Sequence, residues 1–197
     1  MPGRGFADSN AAGGPVRGRY RRLFYALWPD EGLRNRLAAA GATAARQSSG
    51  RPVPPGNYHL TLAFLGSVPG HSLASLIELG GRVRGEPVEV VFDRLDYWPR
   101  PKVLVALSTV TPAAGSALVE QLWERLTPHG YEREARPWRP HLTLARQVHE
   151  RPPDGLTLEN ADRTAFSAEF TTLALVESAS APRGVRYRPI ADWRLGS

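Results

Sequence analysis

Two short stretches of this sequence place the same chemistry-bearing residues at the same spacing. Residues 59–63 read HLTLA, and residues 141–145 repeat the string. Side chains alternate between the two faces of an extended strand, so His59 shares a face with Thr61, and His141 shares one with Thr143. Two imidazoles can serve one reaction as general acid and general base, while hydroxyls donate to phosphate oxygens. The repeat therefore indicates a phosphodiester-cleaving site with one His-Thr pair from each of two similar lobes.

The residues around the two motifs do not suggest a metal site. The chain has no cysteine, and neither a His-x-x-x-His pattern nor a cluster of carboxylates frames either motif. A duplication kept only for packing would explain the repeated leucines, but it would not explain the paired polar positions. We therefore expect catalysis by side chains alone, with no metal and no other cofactor.

The charge balance favours an anionic ligand. The net charge is +6, the pI is about 10.3, and Lys102 is the single lysine among the basic residues. Arginine pairs bidentately with phosphate, although a bias towards Arg is also typical of a GC-rich genome. No apolar run approaches the roughly 20 residues that cross a bilayer, so we expect no membrane association. The lack of cysteine favours a cytoplasmic location.

The elements that must position the motifs alternate between strand and helix. The periodicity predicts strands over 21–28, 58–65, 88–95, 103–107 and the second motif, with a turn over 66–70. It predicts helices from an N-cap at Asp30 to about residue 46, over 71–84, and from 111 to about 128, followed by a strand-rich end. No glycine-rich phosphate loop follows the first strand. The order favours an α+β fold with largely antiparallel sheets.

Longer stretches around the motifs resemble a known family. RLFYALWP, NYHLTLAFLG, RPWRPHLTLAR, LVES and RYRPIADW occur in the order found in the RNA 2′,3′-cyclic phosphodiesterases, historically called 2′-5′ RNA ligases, of the 2H phosphoesterase superfamily. The resemblance covers most of residues 21–193. It implies a bilobal fold with pseudo-two-fold symmetry, in which two mostly antiparallel sheets flank a central groove and the helices lie on the outer faces.

The resemblance also implies a role for each site residue. His59 would donate a proton to the departing 3′ oxygen, His141 would activate water, and the product would be a 2′-phosphate. Thr61 and Thr143 would hold the phosphate, and Arg146 would contact phosphate or RNA. Since Arg146 lies an odd number of residues beyond Thr143, it would reach that face only if the strand twists or ends near residue 145.

We therefore expect an enzyme that opens RNA 2′,3′-cyclic phosphate ends, or small cyclic nucleotides, to 2′-phosphates. Three alternatives stay open: the reverse reaction that joins RNA through a 2′-5′ bond, a phosphodiesterase for another small cyclic nucleotide, and a nucleotide- or RNA-binding module without turnover. Residues 1–18 are predicted to form a disordered Arg/Gly-rich tail, and residues 19–197 a single bilobal domain acting as a monomer. Tyr58 and Trp138, beside the motifs, are candidates for stacking on a base.

Overall fold

The structure is a computed structural model that describes residues 20–149, 166–182 and 184–196. Three α-helices in these residues are α1 (Glu31–Gln47), α2 (Leu73–Gly81) and α3 (Ala113–Leu126). Ten strands are β1 (Tyr20–Leu27), β2 (Arg51–Pro52), β3 (Leu60–Pro69), β4 (Val88–Phe92), β5 (Arg94–Trp98), β6 (Val103–Leu107), β7 (His141–Arg146), β8 (Phe166–Phe170), β9 (Thr172–Ala181) and β10 (Gly184–Arg194). The tail predicted over residues 1–18 lies outside the described residues.

The strands form two four-stranded sheets and one small sheet. The first sheet has the order β10-β9-β1-β3, the second has the order β2-β7-β6-β5, and β4 pairs with β8. Every described strand pair is antiparallel. The predicted α+β class with two antiparallel sheets is confirmed, and the β4-β8 ribbon is an addition that the sequence did not indicate.

The two large sheets are built from the same unit, which is a strand, a helix and a motif strand. In one half the unit is β1-α1-β3, and in the other it is β6-α3-β7. Each helix packs on the motif strand of the other half, because α1 contacts β7 and α3 contacts β3. Each half thus covers the motif strand of the other with its helix. This exchange of helices joins the two halves and agrees with the predicted pseudo-two-fold arrangement. None of the helices in the described residues is long and apolar enough to cross a membrane.

Helix α1 shows how the sequence sets one of these contacts. As predicted, it begins after Asp30, whose Oδ1 accepts a hydrogen bond from the Leu33 amide at 2.7 Å. Leu33, Leu37 and Ala44 follow at helical spacing and are buried. This apolar stripe fixes which side of α1 faces the second sheet.

The two faces of each large sheet differ in what covers them. One face of each sheet joins a single apolar core with the helices, which includes Tyr25 of β1 and Leu104 of β6. The opposite faces carry two small clusters, one around Phe24 and one around Val105. The motif histidines lie beside these small clusters, so both belong to the faces that point away from the helices.

Two predicted boundaries were wrong. The strand predicted over 88–95 is interrupted at Asp93, and its parts, β4 and β5, lie in different sheets. The Asp93 carboxylate accepts hydrogen bonds from the amide and hydroxyl of Thr109, which holds the break. The turn predicted over 66–70 is instead the second half of β3, since pairing with β1 continues to Pro69 and Gly66 adopts a positive φ of 70° within it.

Candidate active site

Each motif strand contains a bulge at the same position of the repeat. On β3, Thr61 pairs with Ala26 and Ala63 pairs with Tyr25, which leaves Leu62 as an extra residue. A bulge of this kind shifts the alternation of side chains by one position. Leu62 and Ala63 are therefore both buried although they are consecutive.

The second motif strand repeats this irregularity. On β7, Thr143 pairs with Val105 and Ala145 pairs with Leu104, so Leu144 is the extra residue. The shift places Arg146 on the same exposed side as Thr143, despite the odd spacing between them. The strand also ends at Arg146. The bulge is the physical reason that this arginine reaches the face of the motif.

The His59 imidazole is held at both nitrogens. Its Nδ1–H donates to the Asn57 carbonyl oxygen at 2.8 Å, and the Thr61 hydroxyl lies 3.1 Å from its Nε2. Because a carbonyl only accepts, Nδ1 carries the proton in the neutral ring, and the Thr61 hydroxyl donates to Nε2. Nε2 therefore points to the side of β3 that also carries the Thr61 hydroxyl.

Aromatic rings surround His59. Its ring centroid lies 4.9 Å from those of Phe24 and Tyr187, and 6.3 Å from that of Trp28. Burial among these groups lowers the pKa of His59 to about 4, since it disfavours the charged form. The hydrogen bond to the Asn57 carbonyl opposes this lowering, and the charges of His141 and Arg146 make smaller contributions to it. Both of these charged residues belong to β7, the second motif strand.

His141 is held in the corresponding way. Its Nδ1–H donates to the Arg139 carbonyl oxygen at 3.0 Å, two residues earlier, as Asn57 precedes His59. Its ring lies 4.8 Å from the ring of Trp98. Burial again lowers the pKa of His141 below its ordinary value. Both histidines thus present Nε2, and burial favours the neutral form of each in the free protein.

Two hydrogen bonds beside the motifs join the two halves of the molecule. A groove of about 770 Å³ is lined by Thr61 from the first motif and His141 from the second. The Trp138 indole N–H donates to the Thr61 carbonyl oxygen at 2.9 Å. Arg146 Nη2 donates to the Tyr187 hydroxyl at 3.4 Å, and the Tyr187 ring packs on that of His59. Thr143, half-buried, shares the exposed side of β7 with His141.

The structure adds one positioning group that the sequence reading missed. The Asn57 side chain accepts from the Tyr187 amide at 2.9 Å and donates to the Val185 carbonyl at 2.7 Å. It thereby ties β10 to the residues before His59. An asparagine in a Pro/Gly loop gives no sequence signal of this role, because its partners lie more than 120 positions away.

Of the two stacking candidates, Tyr58 is excluded by its burial. Only 1% of its surface is exposed, and it packs under α1 at Gly41. Trp138 lines the groove, but its indole N–H is already bound to the Thr61 carbonyl. Among the described residues, no three His, Asp or Glu side chains are grouped as metal ligands would be.

Comparison with known proteins gives consistent matches. Residues 27–105 match the model of the LigT-like phosphoesterase family. A protein of Escherichia coli (strain K12) named RNA 2′,3′-cyclic phosphodiesterase is 31% identical over 178 residues, which cover 89% of this chain and 97% of that protein. One with the same name from Thermus thermophilus is 30% identical over 88% of this chain and 90% of that protein. The crystal structure of E. coli LigT complexed with 3′-AMP matches with a TM-score of 0.74 at 29% identity, over 91% of this chain and 100% of the other.

The fold and the site thus define a LigT-like phosphoesterase. Within that class, the chain belongs to the RNA 2′,3′-cyclic phosphodiesterase family. The family that the longer sequence stretches resemble is confirmed, and so is the enzyme class, a phosphoric diester hydrolase.

Proposed function

We propose that this protein hydrolyses RNA 2′,3′-cyclic phosphodiester ends to 2′-phosphomonoesters by paired-histidine acid/base catalysis. The observation that supports the mechanism is the repeated strand, bulge included, which presents a His-Thr pair in each half, and Thr61 of one pair lines the same groove as His141 of the other. The names of the relatives supply the substrate class.

The roles follow from the chemistry of in-line displacement at phosphorus. One group must remove a proton from the attacking water, and another must protonate the departing 3′ oxygen on the opposite side. We assign the base to His141 and the acid to His59, as the family resemblance implies. The hydroxyls of Thr61 and Thr143 donate to the non-bridging oxygens, where negative charge grows in the transition state.

Arg146 neutralises charge at the same phosphate. The bulge turns the Arg146 guanidinium to the exposed side of β7, and the charge of this group contributes to the lowered pKa of His59. Its hydrogen bond to the Tyr187 hydroxyl is long, at 3.4 Å, and leaves other guanidinium N–H groups to donate to phosphate. We expect Arg146→Gln to lower kcat/KM, with Arg146→Lys recovering the part due to charge alone.

The test is hydrolysis of a short RNA that ends in a 2′,3′-cyclic phosphate, with excess EDTA present and the product isomer identified. His59→Ala and His141→Ala should each lower kcat by about 10²- to 10⁴-fold, the usual contribution of a positioned acid or base. His129→Ala is the matched control, because His129 is exposed in a 3₁₀ turn and does not line the groove.

A substrate with a better leaving group separates the acid from the base. A p-nitrophenyl ester of a nucleoside phosphate needs no protonation of its departing oxygen, so His59→Ala should lose much less activity on this ester than His141→Ala. Equal losses would overturn the assignment of the two roles. A wild-type reaction that EDTA abolishes would overturn the metal-free mechanism, and RNA binding without turnover would indicate a binding module.

We further propose that the protein acts as a monomer in the cytoplasm. One chain supplies both motifs, so the site needs no second copy to be complete. Light scattering on the active protein tests the monomer, since activity confined to a dimer would contradict it.

A further inference from the structure

A single side chain, Trp138, joins the second half of the molecule to the backbone of the first motif. Trp138 lies three residues before His141, and its indole N–H donates to the Thr61 carbonyl oxygen at 2.9 Å. Thr61 belongs to β3, which lies at the edge of the first sheet. Carbonyl groups on the outer side of an edge strand have no neighbouring strand to bind. The indole therefore supplies a donor where the sheet itself supplies none.

The residues around Trp138 fix His141 as well. The carbonyl of the next residue, Arg139, accepts the hydrogen bond from His141 Nδ1–H at 3.0 Å. Residues 138–141 thus hold the histidine of one pair through the main chain and the threonine of the other pair through a side chain. Since Thr61 and His141 line the same groove, their relative placement depends on where Trp138 lies.

Helix α3 holds the indole in place. The six-membered ring of Trp138 lies against buried Gly115, where an added Cβ would be 2.5 Å from Cη2 and 2.6 Å from Cζ3. The ring is also partly buried against the main core. A glycine at position 115 leaves the space that the ring fills. The indole is thus held by α3 at its ring and by Thr61 at its N–H.

The bound carbonyl lies at the bulge of the first motif strand. It belongs to the peptide group that joins Thr61 to Leu62, the extra residue of the bulge. A bulge disrupts the ladder locally, so a donor from outside the sheet gives the backbone a fixed point there. The direction of the Thr61 hydroxyl follows from this backbone, because a β-branched side chain is stiff at its first torsion. That hydroxyl lies 3.1 Å from Nε2 of His59.

We propose that Trp138 is a positioning residue for the reaction, because its indole N–H fixes the Thr61 backbone and with it the direction of the Thr61 hydroxyl. The inference rests on the function proposed above and extends it to a residue that does not touch the reacting atoms. The bond from the Thr61 hydroxyl to the phosphate strengthens as charge grows in the transition state. A misdirected hydroxyl therefore lowers kcat and has little effect on KM.

The experiment is a double-mutant cycle on the hydrolysis of a short RNA that ends in a 2′,3′-cyclic phosphate. Trp138→Phe keeps an aromatic ring beside α3 and removes the N–H donor. The values of kcat and KM are measured for wild type, Trp138→Phe, Thr61→Val and the double variant. A second cycle uses Thr143→Val, because Thr143 has the corresponding place in the other motif and Trp138 binds the carbonyl of Thr61.

Trp193→Phe is the matched control for the loss of an indole. Trp193 also packs on a helical glycine, Gly80 of α2, but it does not line the groove. It should keep the wild-type kcat. Urea denaturation of every variant separates a change of kcat from a loss of folded protein.

We expect Trp138→Phe to lower kcat roughly tenfold, a part of the about 10²-fold that a misplacement of about 1 Å can cost. In the Thr61→Val background the same change should cost almost nothing further, because the hydroxyl that the indole positions is gone. In the Thr143→Val background it should still cost roughly tenfold. A merely structural role of Trp138 would give the same loss in both backgrounds.

Gly115→Ala reaches the same hydrogen bond without changing Trp138. Its added methyl group crowds the indole, so it should lower kcat when Thr61 is present and have little effect in Thr61→Val. In the Trp138→Phe background Gly115→Ala should also have little effect, because the smaller phenyl ring leaves room for the methyl group.

An unchanged kcat in Trp138→Phe, or equal losses in the two threonine backgrounds, would overturn the inference while the proposed hydrolysis stands. If wild type does not hydrolyse the RNA, the proposed function fails, and both cycles are read in the Kd for 2′-AMP by isothermal titration calorimetry. A loss of affinity in Trp138→Phe that disappears in Thr61→Val and persists in Thr143→Val supports the positioning of Thr61. No loss of affinity, or the same loss in both backgrounds, overturns it.

Discussion

At the scale of single residues, the environments of the two histidines set the pH at which the site works. Both donate Nδ1–H to a carbonyl two residues earlier, and both are packed against aromatic rings. Burial lowers the pKa of His59 to about 4 and also lowers that of His141. At pH 7 the neutral form of His59 therefore predominates in the free protein, so the acid form is supplied mainly when an anionic phosphodiester binds and raises both pKa values.

The first prediction is that kcat/KM and kcat have different pH profiles. The reactive form needs a protonated His59 and a neutral His141. The plot of kcat/KM against pH is therefore bell-shaped, and its two limbs report pKa values of the free enzyme. Since both pKa values lie below the ordinary 6.5, kcat/KM should fall about tenfold per pH unit above pH 6.5. In kcat the alkaline limb moves to higher pH, because the bound phosphate favours the charged imidazoles.

The measurement is steady-state kinetics from pH 4 to pH 9, with circular dichroism at each pH to separate loss of activity from unfolding. The two apparent pKa values belong to the coupled pair and not to either histidine alone. A value of kcat/KM that keeps rising through pH 9 would contradict the two-imidazole mechanism.

At the scale of elements, what the sequence predicts depends on whether the cause is local. The start of α1 was predicted correctly because Asp30 and the stripe of Leu33 and Leu37 act within one helix. The alternation of side chains along an extended strand also predicted that the His and the Thr of each motif share a face. The bulges at Leu62 and Leu144 could not be predicted, since a bulge is a property of the pairing with a neighbouring strand.

A second prediction concerns the contact between α1 and the second sheet. A Cβ added at Gly41 would lie 1.9 Å from the Tyr58 hydroxyl oxygen and 3.3 Å from the Leu144 carbonyl oxygen. Helix propensity alone favours alanine over glycine by about 1 kcal/mol, but a clash with packed neighbours outweighs it. We expect Gly41→Ala to lower the free energy of unfolding by about 1–3 kcal/mol, measured by urea denaturation.

Two further variants isolate the cause of this loss. Gly32→Ala is the control on the same helix, because its nearest neighbour is an ordinary contact of 3.6 Å, and it should not destabilise the protein. Tyr58→Phe removes a buried hydroxyl that has no hydrogen-bond partner among the described residues, so it should be neutral or slightly stabilising. Because it also removes the clashing atom, Tyr58→Phe should restore most of the stability of Gly41→Ala. A Gly41→Ala variant as stable as Gly32→Ala would contradict the packing.

At the scale of the whole molecule, the two halves share one interior. The main core is continuous from Tyr25 of the first sheet to Leu104 of the second, and the exchanged helices α1 and α3 belong to it. Neither half therefore has a complete core of its own. The site depends on the same union, since Arg146 of one half contacts Tyr187 of the other.

The last prediction is that the described fold unfolds as one unit and that Asn57 contributes to this unit. Asn57 is buried, with 8% of its surface exposed, and its two side-chain hydrogen bonds join β10 to the loop before His59. Asn57→Ala leaves the Val185 carbonyl and the Tyr187 amide without these partners, at a cost of roughly 1–3 kcal/mol for each group that stays buried. Because the core is shared, the loss should lower the midpoint of a single urea transition with an unchanged slope.

Tryptophan fluorescence and far-ultraviolet circular dichroism should report the same midpoint, and Asn35→Ala, at an exposed position of α1, should keep the wild-type value. Separate midpoints for the two probes in Asn57→Ala would show instead that β10 detaches while the remaining core stays folded.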